Sequence, residues 1–379
     1  MPPKSPIVAP TPTANGSGVD TIAAEEKALQ NACERFVVGH GARTTAELLE
    51  SIGADVEKDT YGEGGVVAEL EEEVAGLLAK PAAVFLPTGT MAQQATLRVH
   101  ADRRGRSSFV GHPACHLDWR EGRGYQRLHG LSFRQAGELR RPLTAAALAD
   151  VAEAPAALVI ELPQRDLGGR LPDWDDLEAQ VAWAHERGAA AHLDGARLWE
   201  AAAGYDCQPA DIGAMFDTVY VSFYKGLGSI GGCCVAGPAD VVAEVREWRT
   251  RHGGTVCGLW PYAASCLDSL RTRLPRMADY HRHGFAIAAA LRDVPGVEVV
   301  PDPPQTSHLH LLFDRTIEEL RAAAHRLARE RRIWTFSRWS PTDAPGVQRI
   351  ELPVGDATMT FTAEEIAELV GCLLLTTEG

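Results

Sequence analysis

Two apolar runs that end in charged residues constrain this chain more than any other feature. Ala189–Leu193 reads as a buried strand, and Asp194 follows at its end in the run HLDGAR (192–197). Thr218–Phe223 reads as a second strand and delivers Lys225 into the glycine-rich turn of SFYKGLG (222–228). Uninterrupted apolar runs of this length suit strands covered on both faces, as parallel sheets are. The chain around them alternates in the same way. Strands are expected at Ala82–Leu86, Ser108–Val110, Ala157–Glu161 and Cys233–Ala236, and helices at Val67–Ala79, Met91–Ala101, Leu143–Ala152 and Trp174–Arg187. This alternation predicts an α/β fold with a mostly parallel sheet covered by helices. Ligands of such sheets bind beyond the strand C-termini, so Asp194 and Lys225 are expected at one edge.

Beyond about Leu270 the pattern changes. A helix at Met277–Arg292 is followed by strands at Val297–Val300 and His308–Phe313, a helix at Ile317–Arg329, a strand near Arg349–Leu352 and a helix at Ala363–Thr376. Near the start, Thr21–Phe36 reads as an amphipathic helix and Thr44–Ile52 as a short one. The expected division is a disordered tail (1–20), an N-terminal helical segment (21–58), a large domain (59–270) and a small α+β domain (271–379). The opening MPPKSPIVAPTPTANGSG lacks the apolar core of a secretion signal.

A net charge of −14 argues against a nucleic-acid or anionic-membrane partner. No apolar window reaches the length needed to cross a bilayer. The eight cysteines show neither disulfide nor metal spacing, which suggests small apolar residues in a reducing cytoplasm. No metal is expected, since His281 and His283 lack partners at ligand spacing.

A lysine in an apolar setting together with a buried acid is what pyridoxal phosphate (PLP) chemistry requires. The lysine forms the Schiff base, and the acid keeps the pyridine nitrogen protonated so that the ring can draw electrons. Leu86-Pro87-Thr88-Gly89-Thr90-Met91 ends a strand and opens a helix, where Gly89, Thr90 and free backbone N–H groups would hold a phosphate. Arg197, beside Asp194, can reach the cofactor's O3′ or a substrate carboxylate. Gly226-Leu227-Gly228-Ser229-Ile230-Gly231 matches the dinucleotide fingerprint in letters, but it runs into a strand where a helix should begin, so nucleotide binding is not expected.

With these residues in place the chain resembles the threonine aldolase and β-eliminating lyase group of PLP-dependent enzymes. The matching stretches are DTYGEGG (59–65), FLPTGTMA (85–92), CHLDW (115–119), HLDGARLWEAA (192–202), SFYKGLGSIGG (222–232) and EWRTRHGG (247–254). The resemblance implies the aspartate-aminotransferase-like fold (fold type I), with a large domain built on a mostly parallel seven-stranded sheet and a small C-terminal α+β domain. It implies that Lys225 is the Schiff-base lysine, that Asp194 pairs with the pyridine nitrogen and that His116 stacks on the ring. It also implies that Gly89 and Thr90 hold the phosphate and that Arg197 binds O3′ or the carboxylate. Arg349, in QRIELP, would clamp the substrate carboxylate, and Tyr61 would reach the site of a neighbouring subunit in a homodimer or homotetramer. The activity implied is retro-aldol cleavage of a threonine-like β-hydroxy-α-amino acid to glycine and an aldehyde.

Three departures bear on the substrate end. Cys257 stands where the group has an arginine for the neighbour's phosphate, leaving Arg249 or Arg251 as replacements. Gln164, in ELPQRDLGG, replaces a histidine near the substrate hydroxyl, and glutamine cannot act as a base at neutral pH. VVGHGART (37–44) replaces a motif offering an acid and a hydroxyl, with His40 or His112 as substitutes. The competing readings are a β-eliminating lyase, a transaldolase passing a glycyl carbanion to another aldehyde, and a catalytically idle paralogue. Trp334 and Trp339 beside Arg338 hint at a larger, partly aromatic substrate.

Overall fold

The computed structural model describes residues 16–50, 52–53 and 55–375. Seven strands form the main sheet: β1 (Ala82–Leu86), β2 (Ser108–Gly111), β3 (Ser132–Gln135), β4 (Ala157–Glu161), β5 (Ala190–Gly195), β6 (Thr218–Ser222) and β7 (Cys233–Gly237). Their spatial order is β1-β7-β6-β5-β4-β2-β3. All pairs are parallel except those of β7, which runs antiparallel to both β1 and β6. Every residue of β5, β6 and β7 is buried, which is why these segments read as unbroken apolar runs.

The register of the central strands matters most for function. Glu161 of β4 pairs with Asp194 of β5, and Asp194 with Tyr220 of β6. Three ionisable side chains therefore stand in one row at the C-terminal edge of the parallel strands. Helix α1 (Gly89–Arg104) starts at this edge, its N-terminus capped by the Thr88 hydroxyl, which accepts the Met91 N–H at 3.3 Å.

A second, antiparallel sheet contains β8 (Val297–Val300), β9 (His308–Asp314), β10 (Ser340–Pro341) and β11 (Val347–Pro353), in the order β10-β11-β9-β8. Leu309, Leu311 and Phe313 alternate into the core, packed with residues of helices α2 (Met277–Leu291) and α3 (Ala363–Leu374).

The N-terminal reading needs correction. The helix spans Gly16–Ala32, not Thr21–Phe36, and Arg35–Phe36 is a short strand paired in parallel with Ile333–Trp334. Cys33 is buried against Ala328 and Trp334, so the apolar residues after Ala32 serve strand packing and not a helical face. The expected tail lies outside the described residues up to position 15, and residues 16–20 open the helix. The helix expected at Leu143–Ala152 is a single turn, Ala145–Leu148, and β3 at the sheet edge was not anticipated. All eight cysteines are free. No helix among the described residues is long and apolar enough to cross a membrane.

Candidate active site

Six residues singled out in the sequence (Gly89, Thr90, His116, Asp194, Arg197 and Lys225) line one cavity at the C-terminal edge of the main sheet. Each arrives by a different local device. The start of α1 brings Gly89 and Thr90, and only glycine fits at 89, because a Cβ there would lie 2.2 Å from the Tyr220 hydroxyl. Asp194 comes from β5, and Arg197 directly precedes the helix Leu198–Tyr205. Lys225 follows β6 by three residues, beside the Tyr224 ring at 4.8 Å.

Burial dominates the electrostatics. Asp194 is 3% exposed, and its carboxylate accepts the Ala196 N–H at 3.2 Å. Burial pushes its carboxyl up, partly offset by His116, with Glu121 adding to the rise. A carboxyl held high in this way gains from a cationic ring nitrogen, so its chemistry as well as its position suits PLP. His116 is also raised: burial opposes the charge, but Glu121, 3.4 Å from Nδ1, together with Asp194 and Glu161, outweighs it. Lys225 is lowered to about 8, first by burial and then by Arg197 and Arg165. At neutral pH an appreciable fraction of its amine is therefore uncharged and nucleophilic.

The phosphate end also fits. The first backbone N–H groups of a helix have no intrahelical acceptors, and at α1 they meet a cavity whose wall includes Gly89 and Thr90. The residues present thus suit each end of the cofactor.

This cavity shares Arg197, Tyr224 and Lys225 with a larger one of about 710 Å³. Arg165, Arg349 and Glu351 line the larger space, with Phe36, Trp334 and Phe336 on its apolar wall. Arg349 therefore opens onto the same space as Lys225, 3.7 Å from Asp166. Trp334 joins the wall, whereas Trp339 packs against Phe313 and Phe336.

Gln164 is placed differently from the expectation of a group beside the substrate hydroxyl. Its side chain is buried outside the Lys225 cavity, lines a small pocket with His112, and donates to Glu161 at 3.0 Å. Glu161, half-buried beside Asp194, is raised to about 8, so Gln164 orients a largely protonated acid. His112 is committed as well. Its Nε2 lies 2.8 Å from the Arg141 carbonyl, and its Nδ1 accepts the Ala114 N–H at 3.0 Å. His40 is likewise engaged at both ring nitrogens. Neither histidine lines the Lys225 cavity.

Tyr61 stands apart from these cavities, 56% exposed. Its loop is fixed by buried Asp59, which accepts the N–H groups of Gly62, Leu259 and Trp260 at 2.7, 2.8 and 2.8 Å. Cys257 is exposed, and its carbonyl accepts the Tyr61 N–H at 3.0 Å. Of the two replacements considered for the missing arginine, Arg249 is buried and donates to the Phe85 carbonyl at 2.9 Å, and Arg251 pairs with Glu247 at 2.8 Å. Neither lines the Lys225 cavity.

Sequence reasoning missed Glu121, Glu161, Gln93, Tyr220 and Arg165. All but Arg165 line the Lys225 cavity, and Arg165 lines the larger one. The pairing of Glu161 with Asp194 was available in principle, since both sit at the ends of apolar runs. Histidines 308 and 310 come within 4.8 Å of Glu351 at their ligand atoms, a cluster not anticipated from spacing. Glu351 is engaged by Arg165 at 2.6 and 3.1 Å, which places a fixed cation where a metal would have to compete.

Comparison with known proteins agrees with this geometry. The chain is 28% identical over 298 residues to the low specificity L-threonine aldolase of Escherichia coli K12, covering 77% of this chain and 87% of that protein. A candidate L-allo-threonine aldolase from Listeria monocytogenes superposes with a TM-score of 0.85 at 35% identity, over 92% of this chain and 98% of the other. A candidate aromatic amino acid beta-eliminating lyase/threonine aldolase from Exiguobacterium sp. 255-15 gives 0.85 at 32% identity, over 91% and 99%. The architecture is the fold type I that the sequence motifs implied. A profile described as beta-eliminating lyase matches residues 41–314, so on sequence and structure alike the chain belongs to the beta-eliminating lyase family.

Proposed function

We propose that this protein is a PLP-dependent aldehyde-lyase that cleaves a threonine-like β-hydroxy-α-amino acid to glycine and an aldehyde. The observation that carries the reading is the convergence of Gly89, Thr90, His116, Asp194, Arg197 and Lys225 on one cavity. Similarity to a low specificity L-threonine aldolase and to a candidate L-allo-threonine aldolase supports the choice of reaction.

In this reading Lys225 would hold PLP covalently, Asp194 would keep the ring nitrogen protonated, His116 would lie against the ring, and Gly89 and Thr90 would hold the phosphate. Bound PLP supplies an electron sink for the pair left at Cα when the Cα–Cβ bond breaks. Arg349 and Arg197 hold the substrate carboxylate and so set which bond at Cα faces the sink. The β-hydroxyl gives up its proton as the Cα–Cβ bond breaks, and Lys225, with its amine lowered to about 8, would deliver one proton to Cα. Gln164 keeps Glu161 in place and takes no proton from the substrate.

The active form is a homodimer or homotetramer with shared sites, in which Tyr61 reaches the neighbour; its exposure on a loop held by Asp59 supports this. A cytoplasmic location accords with eight free cysteines. The test is borohydride reduction of the PLP-loaded protein followed by peptide mapping, run beside an assay for glycine release. The modification is expected on Lys225, with no glycine from Lys225→Ala. Modification elsewhere, or cleavage by Lys225→Ala, would refute the reading.

A further inference from the structure

The three residues after Lys225 present three successive carbonyls, and each is held by a different cationic or imidazole side chain. The Gly226 carbonyl accepts from His40 Nε2 at 2.7 Å, the Leu227 carbonyl from Arg273 Nη1 at 2.8 Å, and the Gly228 carbonyl from Arg43 Nη2. One carboxylate meets two of these side chains, His40 and Arg273. Asp356 accepts from Arg273 Nε at 2.7 Å, lies 3.4 Å from His40 Nδ1, and also receives Arg276 and the Tyr280 hydroxyl. The Asp356 N–H donates to His40 Nδ1 at 3.2 Å, which leaves the proton on Nε2 where the Gly226 carbonyl needs it.

The fit is tight. Gly228 has φ +67°, and a Cβ there would lie 2.6 Å from the His40 ring. The segment before His40 is strapped to the second sheet and to the turn beyond it: the Gly39 N–H donates to the Pro353 carbonyl at 2.9 Å, and the Thr358 hydroxyl to the Val37 carbonyl at 2.8 Å. The turn cannot hold itself in this way, because two of its three residues are glycines without side chains to pack.

We propose that His40, Arg43, Arg273 and Asp356 form a clamp that positions Lys225 by fixing the backbone that follows it. These are positioning residues; none of the four lines the cavity that Lys225 shares with Asp194 and His116. The clamp makes the orientation of the amine depend on the N-terminal segment and the C-terminal sheet together. The inference rests on Lys225 being the residue that carries PLP.

The experiment uses PLP-loaded full-length His40→Ala, His40→Gln and Asp356→Asn. It measures kcat and KM on L-threonine, the pH midpoint of the visible band of Lys225-bound PLP, and adduct mapping after borohydride. Arg197, Arg165, Asp194, Glu351 and the Tyr224 ring influence or adjoin the amine, and all are unchanged in these variants. His40→Ala is expected to lose about tenfold in kcat, with KM within about twofold. Its band midpoint is expected to move by about half a pH unit or more. His40→Gln, which can still donate to Gly226, should recover most of both. Asp356→Asn should shift both in the same direction as His40→Ala, and it decides the matter if His40→Ala does not fold. A soluble His40→Ala or Asp356→Asn with unaltered kcat and midpoint overturns the clamp, as does failure of His40→Gln to recover more than His40→Ala. Absence of a Lys225 adduct in the unaltered protein overturns the cofactor reading and the clamp with it.

Discussion

Lys225 shows how burial becomes reactivity. Its amine is lowered from 10.5 to about 8 by burial, Arg197 and Arg165. The rate at which cofactor-free protein captures PLP should therefore rise with pH through a midpoint near 8, and Arg197→Gln should move that midpoint upward, as followed by the growth of visible absorbance. Glu161 works in the opposite sense. Its carboxyl is raised from 4.5 to about 8, so between those values the folded chain holds more protons than the unfolded one. Stability of the cofactor-free protein should fall as pH rises across that window, and Glu161→Gln should flatten the fall in a melting-temperature series. Gln164→Ala should cost less than the roughly hundredfold that loss of a general base would bring, read from kcat. Lys225 and Asp194 were legible because strong apolar runs lead up to them. The partner of Gln164 was not legible, because position along a motif does not reveal which way a side chain turns, and here it turns to Glu161.

At the scale of elements, fixed loops matter as much as strands. Asp59 is a buried acceptor for three backbone N–H groups from its own turn and from the start of the helix Trp260–Arg273. Asp59→Ala should cost about 1–3 kcal/mol, seen as a lower urea midpoint at unchanged slope. The loop carrying Tyr61 would loosen with it. The strands β1, β4, β5, β6 and β7 were readable because burial on both faces selects continuous apolar residues. Edge strand β3 was not, because Ser132 and Gln135 are exposed and the run carries no apolar signal. The helix expected through Phe36 failed for a tertiary reason: Ile333–Trp334 offers a strand partner that a local pattern cannot foresee.

At the scale of the whole molecule, the site depends on contacts distant in sequence. Asp194 belongs to the main sheet and Lys225 to the turn after β6, Arg349 and Glu351 to the second sheet, and Phe36 to the N-terminal segment, yet Lys225, Arg349, Glu351 and Phe36 border one space of about 710 Å³. Motifs identified its members, but the sharing of that space depends on how the two sheets meet, which no single motif encodes. If Tyr61 completes a neighbour's site, mixing inactive Lys225→Ala with a crippled Tyr61→Ala should restore part of the activity through mixed oligomers. Strictly additive activities would count against a shared site. The central claim is carbon–carbon cleavage at a cofactor held by Lys225. Its most direct test is a timed product analysis of the PLP-loaded protein with L-threonine and L-allo-threonine, following glycine, acetaldehyde and ammonia together. Glycine and acetaldehyde rising in equal amounts without ammonia is the predicted result; ammonia with a keto acid, or no turnover by protein carrying PLP on Lys225, would contradict it.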